Sequence, residues 1–206
     1  MRKLNDLDVD LSWEIYTTKE VATAKKTNKH LLQLLTNLNT WESQNINDFI
    51  TYTPQIKLGN FIFSNLTQNY NIRNDRGKGF SLVVAYEENE IVGIAILNSN
   101  SHDISNDFKL DDNNATLRIE YIIVNPNFQN QGVGTRMIKS ITDHQKYFSS
   151  NKVTNGVVAD IDNENTNSRK AFLKNNFRIV MPASYISKYF SRVYHTSKQP
   201  NKNKEL

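Results

Sequence analysis

Two closely spaced glycines lie where an apolar strand gives way to an amphipathic helix. The sequence there runs Ile122-Ile123-Val124, Asn125-Pro126-Asn127, and then Gln129-Asn130-Gln131-Gly132-Val133-Gly134, before a helix predicted to begin near Thr135. A helix N-terminus presents unpaired N–H groups and a partial positive charge, so it attracts phosphate. Gly132 and Gly134 carry no side chain that would keep a pyrophosphate from those groups. The segment predicts a phosphate site, although an ordinary strand-to-helix turn is the simpler alternative.

This loop differs from two other glycine-rich phosphate loops. It has no Gly-Lys-Ser/Thr of a nucleotide triphosphatase, and it lacks the three glycines of the dinucleotide-binding G-x-G-x-x-G pattern. This loop is therefore of a different kind from both.

The elements that position this loop are predicted from the second half of the chain. Strands at 80–86 and 91–97 flank a turn at 87–90, and a polar, exposed loop is predicted at 98–115. The remaining elements are predicted as strand 116–124, helix 133–149, strand 153–160, helix 165–175, a short strand from Phe177 and a last strand at 185–194. A hairpin followed by alternating strands and helices indicates a mixed sheet flanked by helices.

The first half is predicted to be mostly helical. Thr17 or Thr18 could cap a helix that runs to Leu38, and a shorter helix could cover 46–52 before Pro54 interrupts it. Residues 57–76 permit either a helix or a loop, because apolar residues at helical spacing alternate with many asparagines. We expect one domain over 1–196, with a helical part at 1–76, a core at 80–195 and a flexible tail at 197–206.

Composition excludes several classes of site. The 206 residues are 38% hydrophobic and contain no cysteine, so a disulfide, a thiolate zinc site and a cysteine nucleophile are all excluded. The four histidines show no metal-ligand spacing, and we expect no metal. The N-terminus lacks the apolar run of a secretory signal, and no stretch approaches the roughly 20 apolar residues of a membrane helix. These features predict a cytoplasmic protein that does not contact membranes.

The chain is mildly basic, with a formal net charge of +4. Nucleic acid could be a partner of such a chain, but it has no arginine-rich stripe or known nucleic-acid module, so this partner is not favoured. The phosphates of a small nucleotide cofactor explain the charge equally well, and a solvated surface without a ligand explains it most simply.

Three stretches in the same order resemble the GNAT superfamily of N-acetyltransferases. Val124-Asn125-Pro126 followed by Gln129-x-x-Gly132-x-Gly134 is similar to the acetyl-CoA signature [Q/R]-x-x-G-x-[G/A]. Upstream, Ile91-Val92-Gly93 resembles a hairpin strand of the family. Downstream, Asn165-x-x-Ser168-x-x-Ala171-Phe172-Leu173-Lys174-Asn175-Asn176-Phe177 resembles its second conserved region. The resemblance spans about 80–195.

The resemblance implies a fold, a co-substrate and a site. The fold would be α/β (α+β), a mixed and mostly antiparallel sheet flanked by helices, in which two neighbouring parallel strands splay apart to hold the cofactor. Ile122, Ile123 and Val124 would hold the pantetheine of acetyl-CoA. The pyrophosphate would lie on Gln129, Asn130, Gln131, Gly132, Val133, Gly134 and Thr135, and Asn165 and Phe172 would also line the cofactor. A primary amine of a small molecule or a protein would then attack the thioester directly in a ternary complex.

Glu120 matches the strand position at which many members of this family carry a general base. Because alkylamines are mostly protonated at pH 7, direct attack needs a base, commonly a glutamate acting through water. Arg118 lies two residues earlier, hence on the same face of a regular strand. The alternative for Glu120 is an exposed carboxylate paired with Arg118.

Phe172 and Asn176 depart from the family pattern. Phe172 stands where the family usually has a tyrosine that protonates the departing thiolate, and Tyr121, Tyr185 and Tyr189 are candidates to replace it. This departure keeps open a second hypothesis, a non-catalytic acyl-CoA-binding or regulatory module. Asn176 replaces a glycine, but asparagine tolerates the left-handed conformation. The sequence leaves open the amine acceptor and assembly as a homodimer.

Overall fold

The architecture is defined by a computed structural model of the chain. It describes residues 2–4, 11–41, 57–72, 79–101, 115–148, 154–181 and 190–196. The helix predicted at 46–52, most of the loop predicted at 98–115 and the tail at 197–206 lie outside these residues, as do Tyr185 and Tyr189.

Eight strands form one sheet in the described part of the chain. In chain order they are β1 (Arg2–Leu4), β2 (Ser12–Thr17), β3 (Phe80–Glu87), β4 (Glu90–Ser101), β5 (Ala115–Val124), β6 (Thr154–Asp162), β7 (Arg178–Met181) and β8 (Phe190–Thr196). Their order across the sheet is β1-β2-β3-β4-β5-β6-β8-β7. Among the described strands, only the β5–β6 pair is parallel, and the other pairs are antiparallel. The predicted mixed, mostly antiparallel sheet is therefore confirmed.

Helices cover both faces of the sheet. They are α1 (Thr18–Thr27), α2 (Lys29–Leu38), α3 (Leu58–Ile72), α4 (Val133–Asp143), α5 (Gln145–Phe148) and α6 (Thr166–Lys174). None of the described helices is long and apolar enough to cross a membrane.

Two hydrophobic clusters lie on opposite faces of the sheet. We call the face packed by α1–α3 the N-terminal face and the face packed by α4–α6 the C-terminal face. Buried residues on the N-terminal face include Tyr16, Leu34, Leu66, Leu82 and Ile96. Buried residues on the C-terminal face include Trp13, Leu117, Ile119, Met137 and Phe172. Side chains that alternate along β3, β4 and β5 fall on opposite faces, as strand geometry requires.

The N-terminal part differs from the helical prediction for 1–76 because two strands precede α1. The four central residues of β2 are all buried, so β2 lacks the alternation of apolar and polar residues that marks a half-buried strand. The helix predicted to run to Leu38 is also divided. Asn28 adopts extended angles between α1 and α2, and its side chain accepts a hydrogen bond from the Leu31 N–H.

Other element boundaries also differ from the prediction. The ambiguous segment at 57–76 contains the helix α3, and β4 extends to Ser101, into the stretch predicted as a loop. The helix predicted at 133–149 is divided at His144 into α4 and α5. The predicted hairpin is present, and Glu88 and Asn89 both have positive φ, as its two-residue turn requires.

Candidate active site

The loop before α4 is fixed by local hydrogen bonds. Asn125 donates through its N–H to the Val92 carbonyl at 2.9 Å and through its side chain to the Ile91 carbonyl at 2.8 Å. The Gln129 side chain donates to the Val124 carbonyl at 3.4 Å. Asn130 and Gly132 have positive φ of 62° and 79°. These contacts attach the loop to the β3–β4 hairpin and turn the chain into α4.

Gly132 leaves the N-terminus of α4 open. It occupies the N-cap in the left-handed conformation, and no side chain caps the helix. A Cβ at Gly132 would meet nothing within 4 Å. A Cβ at Gly134 would meet only Val124 Cγ2, at 3.4 Å, which is close to an ordinary contact. Packing of the chain therefore does not require glycine at 134, whereas an approaching phosphate would benefit from its absent side chain.

α4 is held firmly beneath this loop. Its apolar side is buried on the C-terminal face through Val133, Met137, Ile138 and Ile141. The Arg136 guanidinium makes two hydrogen bonds to the Glu87 carboxylate, at 3.0 and 3.1 Å. A fixed helix keeps the N–H groups of its first turn aimed in one direction, as a preorganised anion site requires.

The two parallel strands separate next to the loop. Backbone pairing between β5 and β6 ends at Ile119 and Ala159. Beyond that point Ile122, Ile123 and Val124 pair with β4 on one edge, and no described strand pairs with their other edge. This edge offers backbone N–H and C=O groups to an extended ligand, which could bond to them as an added strand would.

Glu120 lies at a β-bulge beside the separation. Ile96 pairs with Tyr121 and Leu97 pairs with Ile119, so Glu120 is the additional residue of β5. Its carboxylate accepts hydrogen bonds from the Asn98 side-chain amide at 3.2 Å and from Arg118 Nε at 3.1 Å. The pairing with Arg118 that the sequence allowed is present, but Glu120 is only 23% exposed.

Arg118 continues this contact into the second parallel strand. Its Nη2 donates to the Asp160 carboxylate at 2.6 Å, and Arg192 Nε donates to the same carboxylate at 2.8 Å. Burial disfavours ionisation of Asp160, but hydrogen bonds and charge from Arg192 and Arg118 outweigh it and lower the pKa of Asp160.

Two residues predicted to line the cofactor lie at α6, Asn165 just before its first residue and Phe172 within it. Asn165 caps α6 by accepting a hydrogen bond from the Ser168 N–H at 2.9 Å. Phe172 is 2% exposed and packs edge-on against Phe177, with ring centroids 4.9 Å apart. Asn176 has a φ of 62°, which confirms the left-handed conformation predicted for the helix end.

Tyr121 is the described tyrosine among those proposed to replace the hydroxyl missing at 172. Its ring packs edge-on against Phe61 on the N-terminal face, with centroids 5.6 Å apart. Burial and the neighbouring charge of Glu120 raise the pKa of Tyr121, so its hydroxyl stays protonated.

Four polar residues around the site were not identified from the sequence. They are Asn98, Asp160, Asn175 and Arg192. The buried Asn175 side chain donates to the Thr135 carbonyl at 3.0 Å and the Ala171 carbonyl at 2.9 Å, thereby joining α4 to α6. Asp160 interrupts an apolar strand, and this charge was the one signal that could have drawn attention to it.

Comparison with known families and structures agrees with this arrangement. A profile described as the acetyltransferase (GNAT) family matches residues 48–177. No curated protein matches the sequence.

Solved structures resemble the fold over most of the chain. An aminoglycoside acetyltransferase, AAC(6')-Ib in complex with coenzyme A, aligns with a TM-score of 0.59 and 12% identity, over 91% of this chain and 95% of that chain. A Salmonella typhimurium acetyl transferase that modifies the N-terminal serine of ribosomal protein L7/L12 aligns with a TM-score of 0.57 and 12% identity, over 93% and 98%. Arabidopsis thaliana NAA60 in complex with acetyl-CoA aligns with a TM-score of 0.53 and 11% identity, over 91% and 98%. At these identities the likeness concerns the fold alone.

Proposed function

Because the chain belongs to the acetyltransferase (GNAT) family, a family of acetyl-CoA-dependent N-acetyltransferases, we propose that it acetylates a primary amine of a small molecule or a protein. The observation that carries this proposal is that two binding features lie close together in the chain. The open N-terminus of α4 at Gly132 and the unpaired edge at 120–124 lie at the two ends of one short segment. One feature fits a pyrophosphate and the other an extended pantetheine.

The residues of the loop divide the proposed binding between them. Gly132, Gly134 and Thr135 would offer backbone N–H groups to the pyrophosphate. Ile122, Ile123 and Val124 would hold the pantetheine through their free backbone edge. Acetyl-CoA supplies the activated acetyl group, and the protein positions it and the amine.

Glu120 is the proposed general base. An alkylamine must lose a proton before its nitrogen can attack, and most of it is protonated at pH 7. The Glu120 carboxylate would take this proton through a water molecule. The neutral nitrogen would then form the C–N bond, and the C–S bond would break. The departing group is a thiolate, and thiols ionise at a pKa near 8.5, so the thiolate can leave without a tyrosine at 172.

A non-catalytic acyl-CoA-binding module remains the second candidate because of Phe172. Its ring has no proton to donate, and it is buried against Phe177. In this second function the loop and the strand edge would bind the acyl-CoA, and Glu120 would only be an ion-pair partner of Arg118.

Thermal stabilisation followed by turnover tests the proposal. Acetyl-CoA at millimolar concentration should raise the melting temperature by mass action. ATP, which has phosphates but no pantetheine, controls for unspecific attraction to a basic chain. Thiol release and product mass spectrometry with a panel of amines then separate the enzyme from the binding module. Absence of any stabilisation by acetyl-CoA would reject both functions.

We further propose that the enzyme acts in the cytoplasm. The absence of cysteine from the sequence fits a reducing cytoplasm. The enzyme would act there as a monomer or a homodimer, and light scattering would distinguish the two.

A further inference from the structure

Four side chains of alternating charge form a continuous chain across three strands. Glu120 and Arg118 extend from β5, Asp160 from β6 and Arg192 from β8. The contacts are Arg118 Nε to Glu120 at 3.1 Å, Arg118 Nη2 to Asp160 at 2.6 Å and Arg192 Nε to Asp160 at 2.8 Å. Two guanidinium groups and two carboxylates give this chain, which we call the charge relay, a net charge of zero.

The charge relay crosses the sheet where the parallel strands separate. Ile119 and Ala159 are the last backbone pair between β5 and β6, and Asp160 is the next residue of β6. The Arg118–Asp160 contact therefore joins the strands by side chains at the point where the backbone pairing stops. Arg192 reinforces it from β8, where it pairs directly with Asp160 in the sheet register.

The side chains of the charge relay are shielded from water. Arg118 is 21% exposed, Asp160 19% and Arg192 11%. Charges in such positions interact more strongly than they would at a fully exposed surface. Changing one of them should therefore disturb the placement of its neighbours.

We propose that Arg118 and Asp160 are positioning residues that hold the Glu120 carboxylate in place beside the separating strands. Arg118 fixes this carboxylate through Nε. Asp160 fixes the orientation of the Arg118 guanidinium through Nη2. This inference rests on the proposed role of Glu120 in catalysis.

Uncharged groups also lie close to Glu120. Asn98 on β4 donates its side-chain amide to the carboxylate, and Tyr121 presents a hydroxyl that burial keeps protonated. From α3, Phe61 packs against the Tyr121 ring and Asn65 hydrogen-bonds with its hydroxyl. Arg118 provides a charged contact to the Glu120 carboxylate.

A purely structural ion-pair network predicts different behaviour from a positioning role. If the charge relay only stabilised the fold, Arg118→Gln would lower turnover by a similar factor whether residue 120 is Glu or Gln. In the positioning role Arg118 acts through Glu120, so Arg118→Gln should lower turnover only while Glu120 is present. A double-mutant cycle therefore separates the two roles.

The experiment is a double-mutant cycle on kcat with Arg118→Gln, Glu120→Gln and the double variant. We expect Arg118→Gln to lower kcat about tenfold in the natural protein and by less than about twofold in the Glu120→Gln background. Asp160→Asn should lower kcat by a smaller factor, again only while Glu120 is present. Lys19→Gln and Glu90→Gln, at exposed positions outside the charge relay, make the same changes of net charge and serve as controls.

Binding measurements complete the test. The rise in melting temperature caused by acetyl-CoA should be retained in Arg118→Gln and Asp160→Asn, because the loop at Gly132 and the strand edge are unchanged. An equal loss of kcat from Arg118→Gln with Glu or Gln at position 120 would overturn the inference. Absence of turnover with every amine would instead reject the proposed function, on which the inference rests.

Discussion

Glu120 and Tyr121 are consecutive residues of β5, yet both side chains lie on the N-terminal face of the sheet. Glu120 contacts Asn98 and Arg118, and Tyr121 packs against Phe61 on that same face. A regular strand would place neighbours on opposite faces. The bulge at Glu120 shifts the alternation of side chains by one residue, and regular alternation resumes at Tyr121. A carboxylate and a protonated hydroxyl therefore lie on the same face of the sheet, beside the separating strands.

Glu120→Gln separates chemistry from binding. The substitution keeps the size of the side chain but removes the base, so turnover at neutral pH should fall by roughly 10²–10⁴-fold. Stabilisation by acetyl-CoA should persist, because the loop and the strand edge are unchanged. Steady-state kinetics and thermal unfolding measure the two effects, with Glu90→Gln as the control. Turnover equal to that of the natural protein would assign the base to another group.

Gly134→Glu tests the phosphate loop. A Cβ at this position meets only Val124 Cγ2, at 3.4 Å, and a glutamate in the first turn of a helix is favoured by its dipole, so the variant should fold. Its carboxylate would occupy the region proposed for the pyrophosphate and repel it. We expect loss of the acetyl-CoA-induced rise in melting temperature. Lys19→Gln on α1 makes the same change of net charge and should retain that rise, and retention in both variants would argue against this phosphate site.

Substitutions of Asn175 test the contact between α4 and α6. Its buried amide donates to the carbonyls of Thr135 and Ala171, so Asn175→Leu should lower the free energy of unfolding by about 1–2 kcal/mol. Asn175→Asp should be more damaging, because an ionised carboxylate cannot donate to either carbonyl. Chemical denaturation at neutral pH compares the variants. Equal stability of the two variants would contradict the importance of these hydrogen bonds.

His195 should make the fold less stable in mild acid. Burial lowers the pKa of His195, and the charge of Asp143 only partly opposes this. The folded protein then binds fewer protons there than the unfolded chain, whose histidine pKa is about 6.5. The stability due to this group is complete above about pH 6.5 and is lost as the pH falls through the lower folded value.

The prediction for His195→Gln is a weaker dependence of stability on pH. Denaturation at about pH 7.5 and about pH 5.5 should give a smaller difference in unfolding free energy than in the natural protein. His144→Gln serves as the matched control, because the His144 ring is hydrogen-bonded to the Ser140 carbonyl at the end of α4. A pH difference that His195→Gln leaves unchanged would contradict the proposed burial effect.

Phe172→Tyr examines the hydroxyl that the family pattern leads one to expect. Because a thiolate can leave unaided, we expect the single-turnover rate to change by less than about threefold. The added hydroxyl enters a buried contact with Phe177, and a hydroxyl without a partner there should lower the melting temperature. Quenched-flow kinetics and thermal unfolding measure both effects. A tenfold faster chemical step would show instead that a general acid at 172 limits the natural protein.

Local features were largely predictable from the sequence. Thr17 caps α1 and Asn176 ends α6 in the left-handed conformation, because each depends on hydrogen bonds and φ angles within a few residues. The order of strands and helices after residue 80 was also predictable, since the apolar period changes from two to about 3.6 residues at each transition. β2 was missed because both of its faces are buried.

The sequence by itself determined the glycine-bearing turn into α4 and the position of Glu120 just before it. Only the tertiary structure decided which groups surround that carboxylate. The bulge depends on the register of β4 against β5, and the contact between Arg118 and Asp160 joins residues 42 positions apart in the chain. Register is set by the simultaneous packing of many side chains on both faces of the sheet, so no short stretch of sequence specifies it.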